Sequence, residues 1–124
     1  MAGILYAIPT PLGGGAAAAL PAAALATVQS LRVFVVENAK TARAFLKDAG
    51  MPCAIKELDI STLEADVLPQ IRKLQEGHSI GLLSEAGCPA IADPGAALVA
   101  AAQRDGIRVV PLVGPSSITL ALMA

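Results

Sequence analysis

The chain has 124 residues and a formal net charge of −1, and 55% of its residues are hydrophobic, 15% charged and 2% aromatic. This length suits one domain. The composition excludes a disordered chain and a membrane-spanning segment of roughly 20 apolar residues. It shows neither the basic excess nor the aromatic content typical of a domain that binds nucleic acid. Two cysteines are too few for a disulfide scaffold, so Cys53 and Cys88 are expected as free thiols in the cytoplasm.

Short apolar runs alternate with helical segments along the chain, and Gly or Pro marks each junction. Gly50 is the expected end of the second helix, because glycine readily adopts the left-handed conformation found there. The first half predicts strands at 3–8, 32–36 and, more weakly, 54–58, with helices at 21–30 and 41–49.

The second half begins with Ser61-Thr-Leu-Glu64, a capping-box pattern that predicts a helix running to Glu76 with a kink at Pro69. Because helical segments separate the strands, we expect a parallel sheet with both faces covered. Right-handed crossovers then place the loop after every strand at one edge. The remaining elements are strands at 79–83 and 108–112, a helix at 96–105 and a last helix from 114.

Loops rich in Gly and Pro follow the first, fourth and fifth strands, at the edge where open α/β sheets bind ligands. After the first strand, the run from Gly13 to Ala18 matches a dinucleotide fingerprint, with Glu37 lying 24 residues beyond Gly13. Pro9 and Pro11 lengthen a turn that this fingerprint needs to be tight. A plain flexible loop is therefore the favoured interpretation.

The sequence gives little support to a hydrolase with a catalytic serine or to a metal site. The single histidine, His78, precedes the fourth strand and so lies at the edge opposite the serine-bearing loops, which excludes a Ser-His-Asp hydrolase. Glu85, Cys88 and Asp93 lack a standard metal-ligand spacing, and no metal is expected.

Lys40, Arg43 and Lys47 are spaced to share one face of the second helix. Such a face can contact an anionic partner, or it can simply be solvated. The solvated face is the favoured interpretation, because that is the usual role of a run of surface charges.

Five motifs carry a more specific pattern, and the opening run from Gly3 to Gly13 belongs to it as well. The motifs are Thr10-Pro-Leu-Gly-Gly14, Glu37-Asn-Ala-Lys40, Ser84-Glu-Ala-Gly-Cys-Pro89, Ala92-Asp-Pro-Gly95 and Val113-Gly-Pro-Ser-Ser117. Their order and spacing resemble the tetrapyrrole methylase superfamily. The most similar branch contains the small-subunit ribosomal RNA cytidine 2′-O-ribose methyltransferases, whose corresponding motifs read TPIGN, EDTR, SDAGTP, SDPG and PGPSA. Glu-Asn-Ala-Lys differs from EDTR by lacking the second acid and the arginine.

The resemblance implies an S-adenosylmethionine-dependent methyltransferase with two α/β domains, the methyl donor between them, and a homodimer. Residues 1–124 would form the N-terminal domain, a three-layer α/β/α unit whose five-stranded parallel sheet has the order 3-2-4-1-5. Without the C-terminal domain this chain is expected to be inactive. The implied methyl acceptor is ribosomal RNA, with a tetrapyrrole precursor as the alternative. A free-standing nucleotide-binding module is the alternative from another class.

The resemblance also implies site residues by position. Glu37 matches an acidic position on the substrate side and is the candidate catalytic residue. The residues matching the family's donor site are Pro11, Ala86, Gly87, Cys88, Ile91, Ser116 and Ser117.

Overall fold

Five short segments pair as a parallel sheet at the centre of the domain. A computed structural model describes residues 2–8, 20–83 and 95–112. The strand order is β3-β2-β4-β1-β5, and each neighbouring pair is parallel. The expected order is therefore confirmed. The strands are β1 (Leu5–Ile8), β2 (Val33–Val36), β3 (Asp59–Thr62), β4 (Ile80–Leu83) and β5 (Val109–Pro111).

Helices cover both faces of this sheet, which makes three layers. The helices are α1 (Ala22–Ser30), α2 (Ala39–Asp48), α3 (Leu68–Gln75) and α4 (Gly95–Arg104). Side chains alternate along β2, so that Phe34 packs in the core beneath α1 and α2, and Val35 packs in the core beneath α3 and α4. Both cores are apolar, which explains why the central strands read as continuous hydrophobic runs.

Gly81 lies in the middle of β4, between β1 and β2. A Cβ atom at this position would stand 2.7 Å from Cδ1 of Phe34 and 2.8 Å from Cδ1 of Ile8. Among the described residues, Phe34 is the largest side chain that is fully buried. The missing side chain of Gly81 thus provides the space that the Phe34 ring occupies.

Asn38 and Gly50 determine where helix α2 begins and ends. The side chain of Asn38 accepts a hydrogen bond from the backbone N–H of Thr41 at 3.1 Å, which satisfies one of the free amides at the start of the helix. The helix consequently begins at Ala39, two residues earlier than predicted. Gly50 has a φ of 71° just after the helix, as expected for the residue that ends it.

The prediction of a strand at 54–58 is wrong. Residues Ile55–Glu57 form a single 3-10 turn, and the third strand is Asp59–Thr62, which pairs with β2. This strand lies at the sheet edge and is only partly buried, so it needs little apolar character. Ser61 pairs with Val35 in the sheet and therefore does not cap a helix, which corrects the predicted capping box.

The predicted kink at Pro69 is also wrong. Helix α3 starts at Leu68, so Pro69 stands in the first turn, where a residue without an N–H breaks no helical hydrogen bond. Asp66 accepts a hydrogen bond from the backbone N–H of Leu68 at 3.0 Å and supports this start. The last helix, predicted from residue 114, lies outside the described residues.

Candidate functional site

The carboxyl ends of three neighbouring strands meet at one edge of the sheet. Ile8 of β1 is in register with Leu83 of β4. Leu112, just after β5, donates its backbone N–H to the carbonyl of Ala7 at 2.9 Å, which places the end of β5 beside β1. The chain therefore leaves β4, β1 and β5 at adjacent points, as the parallel pairing predicted.

The residues expected to bind the donor follow these three strand ends in the chain. They all lie outside the described residues, as do Glu85, Asp93 and the run from Gly13 to Ala18. The structure positions the strand ends from which these segments start. The donor-site residues in question are Pro11, Ala86, Gly87, Cys88, Ile91, Ser116 and Ser117.

Glu37 follows β2 directly and lies at this same edge. Its backbone N–H donates to the carbonyl of Leu83 at 3.1 Å, so it continues the pairing of β2 with β4. The residue is exposed, and it makes a further interaction of its own. Glu37 therefore lies beside Leu83, the residue at which β4 ends, and β4 separates it from β1.

The segment Glu37-Asn-Ala-Lys40 connects β2 to α2 and includes the first residues of the helix. Asn38 caps the helix, and Lys40 is exposed in its first turn. The asparagine that replaces the acidic residue of EDTR therefore has a structural role here. Sequence reasoning missed this cap, although an asparagine directly before a helical segment is a recognised start signal.

His78 lies two residues before β4, at the amino edge of the sheet, and is exposed. This confirms that it is remote from the edge where β1, β4 and β5 end. Within residues 2–8, 20–83 and 95–112, no group of three or more His, Cys, Asp or Glu residues is placed to hold a metal ion. None of the helices in these ranges has the length and apolar character needed to cross a membrane.

The three cations predicted to share a helix face, Lys40, Arg43 and Lys47, are all exposed on α2. Arg43 and Lys47 also line a surface pocket of about 510 Å³ between α2 and the segment 50–55. Sequence reasoning missed this pocket, because Ala54 and Ile55 of its second wall were assigned to a strand. Cys53, a free half-buried thiol, belongs to that wall.

The chain is similar to known proteins over nearly its whole length. It is 36% identical over 122 residues to "Ribosomal RNA small subunit methyltransferase I" of Escherichia coli O157:H7. Proteins of the same name from Mesorhizobium japonicum and Leptospira biflexa are 35% and 29% identical, each over 120 residues. No protein-family model matches the chain.

The lengths of these proteins differ from that of the chain. The three matches cover 98%, 97% and 97% of this chain, but 42%, 40% and 49% of the respective relatives. The chain therefore spans less than half the length of these relatives. Because almost all of its own residues are matched, the similarity extends over the segments that follow β1, β4 and β5.

Proposed function

We propose that the protein to which this chain belongs is an S-adenosylmethionine-dependent methyltransferase acting on small-subunit ribosomal RNA. The observation that carries the proposal is similarity along nearly the whole chain to proteins named ribosomal RNA small subunit methyltransferase I. The strand order supports it, because it brings the ends of β4, β1 and β5 together at one edge. Open α/β sheets bind ligands at this edge.

The proposed donor site consists of the segments after these three strands. At the strand ends beneath them, Ile8, Leu83 and Leu112 are buried in the core. These residues anchor the strand ends, and contacts with the donor are left to the segments that follow. Gly87 would allow the donor to approach the backbone closely, and Ser116 and Ser117 would offer hydroxyl groups and free amides at a helix start. Pro11, Ala86, Cys88 and Ile91 complete the proposed set.

The proposed acceptor is the ribose 2′-hydroxyl of a cytidine. The donor's sulfonium supplies an activated methyl group, so the protein's main contribution is alignment and exclusion of water. As the new oxygen–carbon bond forms and the carbon–sulfur bond breaks, the acceptor oxygen loses its proton. Glu37, a carboxylate at the edge where β4 ends, is the candidate to receive that proton.

The proposal extends to the architecture of the whole protein. We propose that residues 1–124 are the N-terminal domain of a two-domain homodimer that encloses the donor between its domains. The greater length of the similar proteins supports a further domain. Residues 1–124 alone would then bind the donor weakly and transfer no methyl group, since part of the donor's contacts would be missing.

The decisive experiment incubates the complete gene product with methyl-labelled donor and small ribosomal subunits from a strain lacking the gene. We expect label in the ribosomal RNA, recovered after nuclease digestion as 2′-O-methylcytidine. Parallel reactions contain a tetrapyrrole precursor instead. Label in the tetrapyrrole alone would overturn the RNA proposal. Nucleotide binding without methyl transfer to either acceptor would favour a nucleotide-binding module.

A further inference from the structure

The pocket beside α2 has a mixed lining that no role in donor binding explains. Its volume of about 510 Å³ lies within the roughly 300–1,000 Å³ typical of small-molecule sites. Met51 and Ile55 supply apolar surface, and both are only partly buried against the core. Arg43 and Lys47 line the helix side. One side of the pocket is thus apolar and the other is cationic.

Local structure holds the two sides in place. Gly50, with its φ of 71°, ends α2 and lets the chain turn so that residues 51–55 run beside the helix. The side chain of Gln29 on α1 donates to the carbonyl of Ala49 at 2.8 Å and ties the end of α2 to its neighbour. Both sides therefore belong to the folded framework of the domain.

The cations at this pocket are not neutralised by the described part of the chain. Neither the Arg43 nor the Lys47 side chain makes a hydrogen bond or ion pair with another described residue, whereas Lys73 on α3 pairs with Asp59 at 2.7 Å. Residues 37–57 carry four basic and three acidic side chains, in a chain whose net charge is −1. An arginine beside a lysine, both without a side-chain partner among the described residues, favours a phosphate group as ligand.

Helix α2 connects this pocket to the edge that holds Glu37. The helix starts at Ala39, next to Glu37, and Lys40, Arg43 and Lys47 follow along one exposed face. Lys40 and Lys47 are seven residues apart, which is about 10 Å along a helix axis. A polyanion that reaches the edge of the sheet at Glu37 can therefore follow the same face of α2 into the pocket.

Resting on the proposed function, we propose that this pocket is a subsite for one nucleotide of the RNA substrate, at a distance along α2 from the nucleotide that is methylated. Arg43 and Lys47 hold its phosphate, and the apolar side formed by Met51 and Ile55 accommodates its base. A simple anion would leave the apolar side unused, and an apolar partner would leave two cations unpaired. RNA satisfies both sides at once.

The first test compares two double variants of the complete gene product. Arg43→Ala with Lys47→Ala removes the pocket cations, and Arg72→Ala with Arg104→Ala removes two exposed cations from α3 and α4 in the opposite layer. Binding to small-subunit ribosomal RNA is measured by filter retention at several salt concentrations, and melting temperatures confirm folding.

We expect the pocket variant to bind RNA about tenfold more weakly, with the slope of log affinity against log salt reduced by about 1. The variant in the opposite layer should keep both the slope and the affinity, and both variants should bind S-adenosylhomocysteine normally. Equal losses in the two variants would overturn the subsite.

The second test uses Cys53, which lines the pocket, as a local probe. Saturating RNA should slow maleimide alkylation of Cys53 by about tenfold, read by mass spectrometry of its peptide. S-adenosylhomocysteine alone should not protect it. Unchanged alkylation in the RNA complex would overturn the subsite, and so would equal protection by pyrophosphate, which would indicate a plain anion site.

Failure of this proposal is distinguishable from failure of the proposed function. If labelled methyl groups enter RNA while Cys53 stays reactive in the RNA complex, the enzyme assignment stands and the subsite falls. If no methyl transfer to RNA occurs, the proposed function fails whatever happens at Cys53.

Discussion

The backbone N–H of Glu37 donates to the carbonyl oxygen of Leu83 at 3.1 Å, so β2 and β4 stay paired up to the end of both strands. The backbone of Glu37 is thereby part of the sheet, while the residue as a whole is exposed at the edge. Because this pairing involves main-chain atoms alone, a substitution of the side chain can separate a catalytic role from a structural one.

Glu37→Gln in the complete gene product should lower the single-turnover rate of methyl transfer by about a hundredfold, the lower end of the usual contribution of a general base. Affinity for S-adenosylhomocysteine, measured by calorimetry, and the melting temperature should stay unchanged. Glu57→Gln, an exposed acid on the 3-10 turn, is the matched control and should leave the rate unaffected. An unchanged rate in Glu37→Gln would remove this residue from the catalytic step.

Asn38→Ala should lower the free energy of unfolding by about 1 kcal/mol, because the amide of Thr41 loses its side-chain acceptor at the start of α2. Urea denaturation of the 124-residue chain measures this loss. Asn38→Asp should retain the stability of the wild type, since a carboxylate accepts the same hydrogen bond and interacts favourably with the helix dipole. If Asn38→Asp were as unstable as Asn38→Ala, capping would not explain the role of Asn38.

Gly81→Ala should destabilise the domain by about 1–3 kcal/mol through overpacking, since the added methyl group would press on Phe34 and Ile8. Replacing Phe34 by a smaller residue tests whether contact with its ring causes the loss of stability. Phe34→Leu opens space at the same contact, so Gly81→Ala should be less harmful in a Phe34→Leu background. Urea titrations of the four proteins form a double-mutant cycle. Additive effects would show that the contact with Phe34 is not the reason for glycine at position 81.

Gly87→Val in the complete gene product should weaken donor binding by about tenfold or more, or 1.4 kcal/mol, by blocking approach of the donor to the backbone. Gly106→Ala is the control. It follows α4 with a φ of 71° and has no neighbouring atom within 4 Å of its Cβ position, so it should lower the melting temperature modestly and leave binding intact. Calorimetry with S-adenosylhomocysteine compares the two. Equal losses of affinity would show that Gly87 does not contact the donor.

Prediction from sequence succeeded where one local signal matched the tertiary environment. The central strands β2 and β4 are buried on both faces, so their apolar runs identified them directly. An apolar run could not identify the edge strand β3, because Asp59–Thr62 is partly exposed and carries polar side chains. The more apolar residues before it, such as Ile55 and Leu58, pack against one core as a turn and its flank.

The alternation of apolar strands with helices, read from the sequence alone, was enough to determine a parallel sheet whose strands all end at one edge, because such strands need crossover connections of one hand. The sequence motifs also supplied the strand order, through their resemblance to a family. Only the tertiary structure showed that the backbone of Glu37 is hydrogen-bonded to Leu83, and that the segment 50–55 and α2 line a surface pocket with one cationic and one apolar side. Both features join residues through the folding of separate elements against one another, and no local pattern of residue types records such contacts.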